Sequence, residues 1–177
     1  MRASSKWLLC LVVLTMTPAC GNNAAETPRP ARDELRFELR AKGTVVSGEP
    51  VVITFRLFGH PTQAVQVLRW NTPLEGLRSR IFLVTRDGAD IPYGGRMYKR
   101  GDPVREDYVA LAAGGELQGE VDLASAYDMR QPGEYRITFT GELLDIAPAN
   151  AVLPRRREQF VSATLRGEPI VVRIAAR

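Results

Sequence analysis

The feature that most constrains this chain is a period of two in its apolar residues, which holds almost everywhere in the domain. In segments 35–40 and 51–58, every second residue is apolar, and segments 116–123 and 135–139 repeat the pattern. A period of two is typical of a strand that is buried on one face. After residue 20, no segment keeps a helical apolar period for three turns. The sequence therefore predicts an all-β fold with little helix.

Turn motifs separate these runs at regular intervals. "SGEP", "AAGGE", "QPGE" and "RGEP" contain the glycine and proline that tight turns favour, and Asp87-Gly88 is a hairpin signal. Short strands at a spacing of about 8–12 residues indicate an antiparallel β-sandwich, here of about seven to nine strands. The 177 residues suffice for one domain, which we assign to residues 35–177.

The N-terminus has the pattern of a secretory leader. Residues 1–6 carry positive charge and residues 7–16 are an apolar run, too short to cross a bilayer core of roughly 30 Å. "TPAC" then resembles the bacterial lipobox, with Thr17 where leucine is usual. This predicts a signal peptide over residues 1–19 and acylation, for example by palmitate, at Cys20. The alternative is an ordinary secretory signal with an incidental cysteine.

The segment after Cys20 has the composition of a linker. Residues 20–34 are polar, contain two prolines and lack an apolar period, which predicts a flexible tether. Gly21 follows the lipidated position, so the aspartate that signals inner-membrane retention is absent there. In a Gram-negative host, these features predict a lipid-anchored protein of the outer membrane that faces the periplasm.

Composition limits the chemistry available to the domain. Cys10 and Cys20 are the two cysteines of the chain, so none is left for a disulfide framework or a cysteine-ligated zinc site after residue 20. The net charge is +4, and it falls to about +2 without Arg2 and Lys6 of the leader. This balance is too even to predict nucleic acid as a partner.

Several motifs together resemble one known family. "WNTPLEG" and the long stretch that includes "VTRDG", "KRG" and "EDY" are similar to the N-terminal region of deuterolysin-type peptidyl-Lys metalloendopeptidases. The resemblance runs from about residue 35 to 175 and implies an Ig-like β-sandwich. In that family the domain is a pro-region that precedes a zinc protease domain.

The activity of that family cannot be carried over. Its zinc site requires a His-Glu-x-x-His helix, because two imidazoles one turn apart must face the same ion. This chain has one histidine, His60, in a predicted turn. No serine or cysteine nucleophile has an activating sequence context. We therefore expect no enzymatic activity, no catalytic residue, no metal site and no cofactor.

Two long connections and one corner are the candidate binding elements. Residues 94–107 and 145–159 are long for hairpin loops, and such loops often carry function. "NTP" predicts a rigid turn next to Trp70, which either plugs the core or binds a partner. The candidate partner-binding residues are Trp70, Asn71, Pro73, Leu74, Arg96, Tyr98, Lys99 and Arg100.

The charged clusters in these loops are interpreted as solvated. Asp102, Glu106 and Asp107 lack the one-three-five spacing of a calcium loop. The basic run Arg155–Arg157 is open to a second interpretation, contact with anionic lipid head groups.

The sequence leaves two functions open. The first is a non-catalytic envelope lipoprotein that binds another protein, as inhibitor or chaperone of a cognate zinc endopeptidase. The second is a structural or ligand-binding envelope lipoprotein unrelated to proteolysis.

Overall fold

A computed structural model describes residues 34–177 of the chain. The predicted signal peptide, Cys20 and the tether up to residue 33 lie outside these residues. Within residues 34–177 there is no α-helix, and no helix there is long and apolar enough to cross a membrane.

The described residues form eleven strands. They are β1 (Arg36–Arg40), β2 (Thr44–Val46), β3 (Val52–Phe58), β4 (Val65–Leu68), β5 (Phe82–Arg86), β6 (Ala89–Asp90), β7 (Tyr108–Leu111), β8 (Glu116–Asp122), β9 (Gly133–Phe139), β10 (Ile146–Pro148) and β11 (Ile170–Ala175). Three of them, β2, β6 and β10, have only two or three residues. The eight longer strands match the predicted number.

The strands associate into three sheets. Their orders are β1-β3-β8, β10-β4-β7 and β2-β11-β9-β5-β6. All pairs are antiparallel except β2 with β11, which is parallel. The all-β sandwich predicted from the alternation is thereby confirmed. Residues 145–159, predicted as one loop, contain β10, which adds an edge to β4.

The core lies between the sheets and has an aromatic centre. Phe37 and Phe55 project from the first sheet and meet Phe139 of the five-stranded sheet, which also contacts Phe82, with ring centroids 5.0 to 5.8 Å apart. Centroid separations in this range suit tilted and edge-to-face aromatic pairs. Val67 of the third sheet belongs to the same core, so one hydrophobic cluster joins all three sheets.

Local turn chemistry agrees with the sequence. Asp87 and Gly88 both have positive φ, 49° and 88°, which is the geometry of a type I′ turn between β5 and β6. "LASAYDM" forms a single 3-10 turn at Leu123–Ser125, capped by the Asp122 carboxylate.

Candidate functional site

The corner, residues 70–80, is rigid because its polar groups bond to its own backbone. The Thr72 hydroxyl donates to the Arg69 carbonyl at 2.6 Å and accepts from the Leu74 amide at 3.2 Å. Asn71 adopts a positive φ of 60°, which asparagine tolerates. A 3-10 turn at Pro73–Glu75 follows. The predicted rigid turn is confirmed.

The corner packs onto strand β8 through a glycine. A Cβ added at Gly119 would lie 2.5 Å from the Pro73 carbonyl oxygen and 3.0 Å from the Leu74 nitrogen. No side chain fits in that space, so glycine permits the close approach of the two backbones. The corner therefore lies against β8, one of the two edge strands of its sheet.

Trp70 is buried at the base of the corner, with 6% of its surface exposed. It packs with Leu68 and Tyr108 in a small cluster beside the main core, and Phe160 covers part of this cluster. The Arg100 guanidinium lies 5.2 Å from the Trp70 ring centroid, within the range of a cation–π contact. The burial and packing of Trp70 agree with the interpretation that its side chain fills space in the core.

The central loop, residues 94–107, is tied to the corner by Arg100 and Tyr98. Arg100 forms an ion pair with Glu75, whose side chain is nearly buried. The Tyr98 amide donates to the Arg78 carbonyl at 3.2 Å, and the Arg78 guanidinium lies 4.8 Å from the Tyr98 ring centroid. The central loop contains no strand, and these contacts hold it in one position.

The C-terminal loop, residues 149–160, is tied to the central loop by Arg157. Its guanidinium donates to the carbonyl oxygens of Arg100, at 3.2 Å, and Gly101. It also lies 3.5 Å from the Asp102 carboxylate. The corner, the central loop and the C-terminal loop thereby form one continuous surface, which we call the loop surface.

A buried carboxylate anchors the C-terminal loop to the sandwich. Asp145 is fully buried and accepts hydrogen bonds from the Tyr108 hydroxyl at 2.9 Å, the Arg155 guanidinium at 2.7 Å and the Val161 amide at 2.9 Å. Burial, together with the hydrogen bond to Asp145, raises the pKa of Tyr108 to about 12. The prediction that Arg155 is solvated was wrong, since it neutralises a buried charge.

The structure brings together the residues predicted to bind a partner, but they differ in exposure. Arg96, Tyr98, Lys99 and Arg100 are exposed on the central loop, whereas Trp70 and Pro73 are buried and Asn71 and Leu74 are half-buried. The corner residues therefore support the surface, and the central loop presents its side chains.

Three residues that hold this surface in place were missed in that role by sequence reasoning. Glu75, Asp145 and Arg157 hold the loops in place through partners that are 10 to 57 residues away in the chain. No local pattern identifies them, because any charged residue in a loop has the same local sequence signal.

His60 and the loop carboxylates have structural contacts. The His60 Nδ1 atom accepts from the Thr62 amide at 3.1 Å, and its Nε2 atom lies 3.4 Å from the Glu34 carboxylate. The Asp107 carboxylate accepts from the Val104 amide at 2.9 Å. Among residues 34–177, no group of three or more His, Cys, Asp or Glu side chains could hold a metal ion.

Known proteins similar in sequence to this chain include proteases. An extracellular protease of Aeromonas hydrophila is 32% identical over 103 residues, which are 57% of this chain and 30% of that protein. A probable neutral protease 2 homolog of Arthroderma benhamiae is 28% identical over 81 residues, 45% of this chain and 22% of that protein. These matches confirm the resemblance to deuterolysin-type proteases, and their partial length is consistent with a pro-region.

The chain spans less than a third of the length of these relatives. No protein-family model matches it. Among solved structures, the CARDB domain of a Pyrococcus furiosus protein is 13% identical to this chain, with a TM-score of 0.32. The aligned region covers 80% of this chain and 88% of the chain of that structure.

Proposed function

We propose that this chain is a non-catalytic, lipid-anchored protein of the bacterial cell envelope, whose β-sandwich binds the catalytic domain of a zinc endopeptidase as inhibitor or chaperone. The observation that carries the proposal is the partial match to an extracellular protease and to a neutral protease 2 homolog. We infer that the segment shared with less than a third of each protease is a separate module of that protease. The natural partner of such a module is the rest of the protease, which contains the catalytic domain.

The site geometry supports binding rather than catalysis. Three charged residues of the loop surface, Arg100, Arg157 and Asp107, are engaged in ion pairs and backbone hydrogen bonds that stiffen the loops. Recognition commonly falls to loops on a rigid scaffold. Stiff loops lose little conformational entropy on association, which favours affinity.

The proposed location in the cell envelope rests on the N-terminal sequence and on the named relatives. The Aeromonas hydrophila relative is an extracellular protease, so a protein that binds such an enzyme must share its route out of the cytoplasm. A leader followed by an acylated Cys20 supplies that route. The lipid then retains the sandwich at the outer membrane, facing the periplasm.

The test is a direct binding and inhibition assay. The purified chain is titrated against mature Aeromonas hydrophila extracellular protease, and binding and residual proteolysis are measured together. We expect saturable binding, with either inhibition or an increased yield of refolded protease. The chain alone should show no chelator-sensitive cleavage of lysyl peptides, and His60→Ala should leave that result unchanged.

Absence of binding to this protease and to a fungal neutral protease 2 would contradict the proposal. The chain would then be a structural or ligand-binding envelope protein that shares only its fold with the pro-region. Chelator-sensitive turnover by the chain itself would contradict its non-catalytic character.

A further inference from the structure

The loop surface concentrates the exposed apolar side chains of the domain. Among residues 34–177, six large hydrophobic residues are exposed, and four of them lie on the central and C-terminal loops. These four are Met97, with 74% of its surface exposed, Tyr98, Val104 and Val152, with 90%. Exposed apolar residues grouped on one surface mark interaction sites more often than scattered ones do.

The same surface carries an excess of positive charge. Segments 70–80, 94–107 and 149–160 together contain nine basic and five acidic residues, a net charge of +4. The rest of residues 34–177 contains eleven basic and thirteen acidic residues, a net charge of −2. Charge separation of this kind steers association with a partner of opposite sign.

Several of these basic side chains are available to a partner. Arg96, Lys99, Arg105 and Arg156 are exposed and form no ion pair within residues 34–177. The neighbouring acids are largely engaged: Glu75 pairs with Arg100. The available groups are therefore basic and surround the exposed apolar side chains.

The surface lies away from the point where the chain enters the domain. Glu34 contacts His60, just before strand β4, and the Gly114 amide donates to the His60 carbonyl just after β7. The corner and the central loop lie at the other ends of these two strands, after Leu68 and before Tyr108. A domain attached through its N-terminus therefore directs the loop surface away from the attachment, toward another protein.

We infer that the loop surface is the docking site for a protein partner whose own surface has an apolar centre within an acidic rim. This inference rests on the proposed function, in which that partner is the catalytic domain of a secreted zinc endopeptidase. Tyr98 and Met97 supply the apolar contact. Arg96, Lys99, Arg105 and Arg156 meet the acidic rim. Tyrosine and arginine are the residue types that most often dominate binding energy at such interfaces.

The experiment measures binding of the full chain to mature Aeromonas hydrophila extracellular protease at low and high salt. Tyr98→Ala should weaken binding about thirtyfold, as expected for a hot spot of about 2 kcal/mol. The double variant Arg96→Glu/Lys99→Glu should slow association about tenfold at low salt, and the difference should shrink at high salt. The matched control is Lys42→Glu/Arg136→Glu, which changes the same charge outside the loop surface and should bind normally.

The outcomes separate this inference from the proposed function. If the unmodified chain binds and the loop variants bind as the control does, the docking surface lies elsewhere and the inference is overturned. If the unmodified chain does not bind, the proposed function fails first and this assignment fails with it. Binding of the chain to phosphatidylglycerol vesicles that is lost in the Arg96→Glu/Lys99→Glu variant, without protease binding, would assign the surface to a membrane instead.

Discussion

Gly119 shows how a single residue without a side chain decides the position of a whole corner. It lies in the middle of β8, in phase with the buried face, where a larger residue would ordinarily add core contacts. The Pro73 carbonyl oxygen lies only 2.5 Å from the position that a Cβ would take at Gly119. The corner can lie on the sheet only because this position is empty.

We predict that Gly119→Ala destabilises the domain by about 1–3 kcal/mol, because the added methyl group overlaps the Pro73 backbone and forces a backbone shift. Urea denaturation measures the change. Gly43→Ala is the matched control, since nothing lies within 4 Å of a Cβ placed there. Equal stability of the two variants would show that the corner does not depend on this contact.

Asp145 is a fully buried charged residue. Asp145→Ala should destabilise the domain by about 3–5 kcal/mol, because Arg155 and the Tyr108 hydroxyl would lose their buried partner. Tyr108→Phe removes one hydrogen bond and should cost about 1 kcal/mol. Denaturation curves measure both, and Asp128→Ala, in an exposed pair with Arg130, should leave the midpoint unchanged. A loss no larger for Asp145→Ala than for Asp128→Ala would contradict the role of the anchor.

Two tyrosines should make the fold sensitive to alkali. Burial, together with the hydrogen bond to Asp145, raises the pKa of Tyr108 to about 12. Burial, together with the nearby Tyr93, likewise raises the pKa of Tyr127 to about 12. An unfolded tyrosine ionises near pH 10. Between about pH 10 and pH 12 the unfolded chain has lost protons that the folded chain keeps, so stability is complete below pH 10 and falls as pH rises.

Denaturation at a series of alkaline pH values, with tyrosinate absorbance as a second probe, measures this loss. The double variant Tyr108→Phe/Tyr127→Phe should show a flatter dependence on pH across the same window. A wild-type stability that stays constant from pH 10 to pH 12 would contradict the raised pKa values.

At the scale of elements, the central loop is held by the C-terminal loop as well as by the corner. Arg157 of the C-terminal loop holds the Arg100 and Gly101 carbonyls of the central loop. Asp145 and Arg155 in turn hold the C-terminal loop to the sandwich. The buried carboxylate therefore fixes the C-terminal loop, and the C-terminal loop in turn helps to hold the central loop.

Arg157→Ala should open the central loop without unfolding the domain. The central loop loses its hydrogen bonds to the Arg157 guanidinium, which lowers the stability of its closed position by about 1 kcal/mol after allowance for solvent screening. Tryptic cleavage at Arg96, Lys99 and Arg100 should therefore be about fivefold faster. Limited proteolysis with mass spectrometry measures the rate. Arg156→Ala, the exposed neighbour, is the control, and equal cleavage rates in the two variants would contradict the coupling of the loops.

At the scale of the whole molecule, attachment and recognition are predicted at separate places. Cys20→Ala should move the protein from the membrane fraction to the soluble fraction, because the acyl chains that retain it are lost. Cell fractionation and detergent partitioning measure the shift, and Cys10→Ala is the control within the leader. Retention of Cys20→Ala in the membrane fraction would place the anchor elsewhere.

The local sequence determined the strands and turns of this protein. Alternation in segments 35–40 and 51–58 requires only neighbouring residues, and the burial of Leu35, Phe37 and Leu39 follows it residue by residue. The Asp87-Gly88 hairpin and the "NTP" turn were likewise predictable, because they depend on the dihedral angles of one or two residues. Period and turn chemistry are local, so they can be recognised before the chain is folded.

Only the tertiary structure decided how the loops are held and which of their residues are free. Arg155, Arg156 and Arg157 are adjacent and chemically identical, yet the first neutralises a buried carboxylate, the second is exposed and the third bonds to the central loop. Their roles depend on partners brought close by strand pairing, such as Asp145 next to β10. A charge acquires its role from what lies within a few ångströms in space, and the local sequence does not contain that distance.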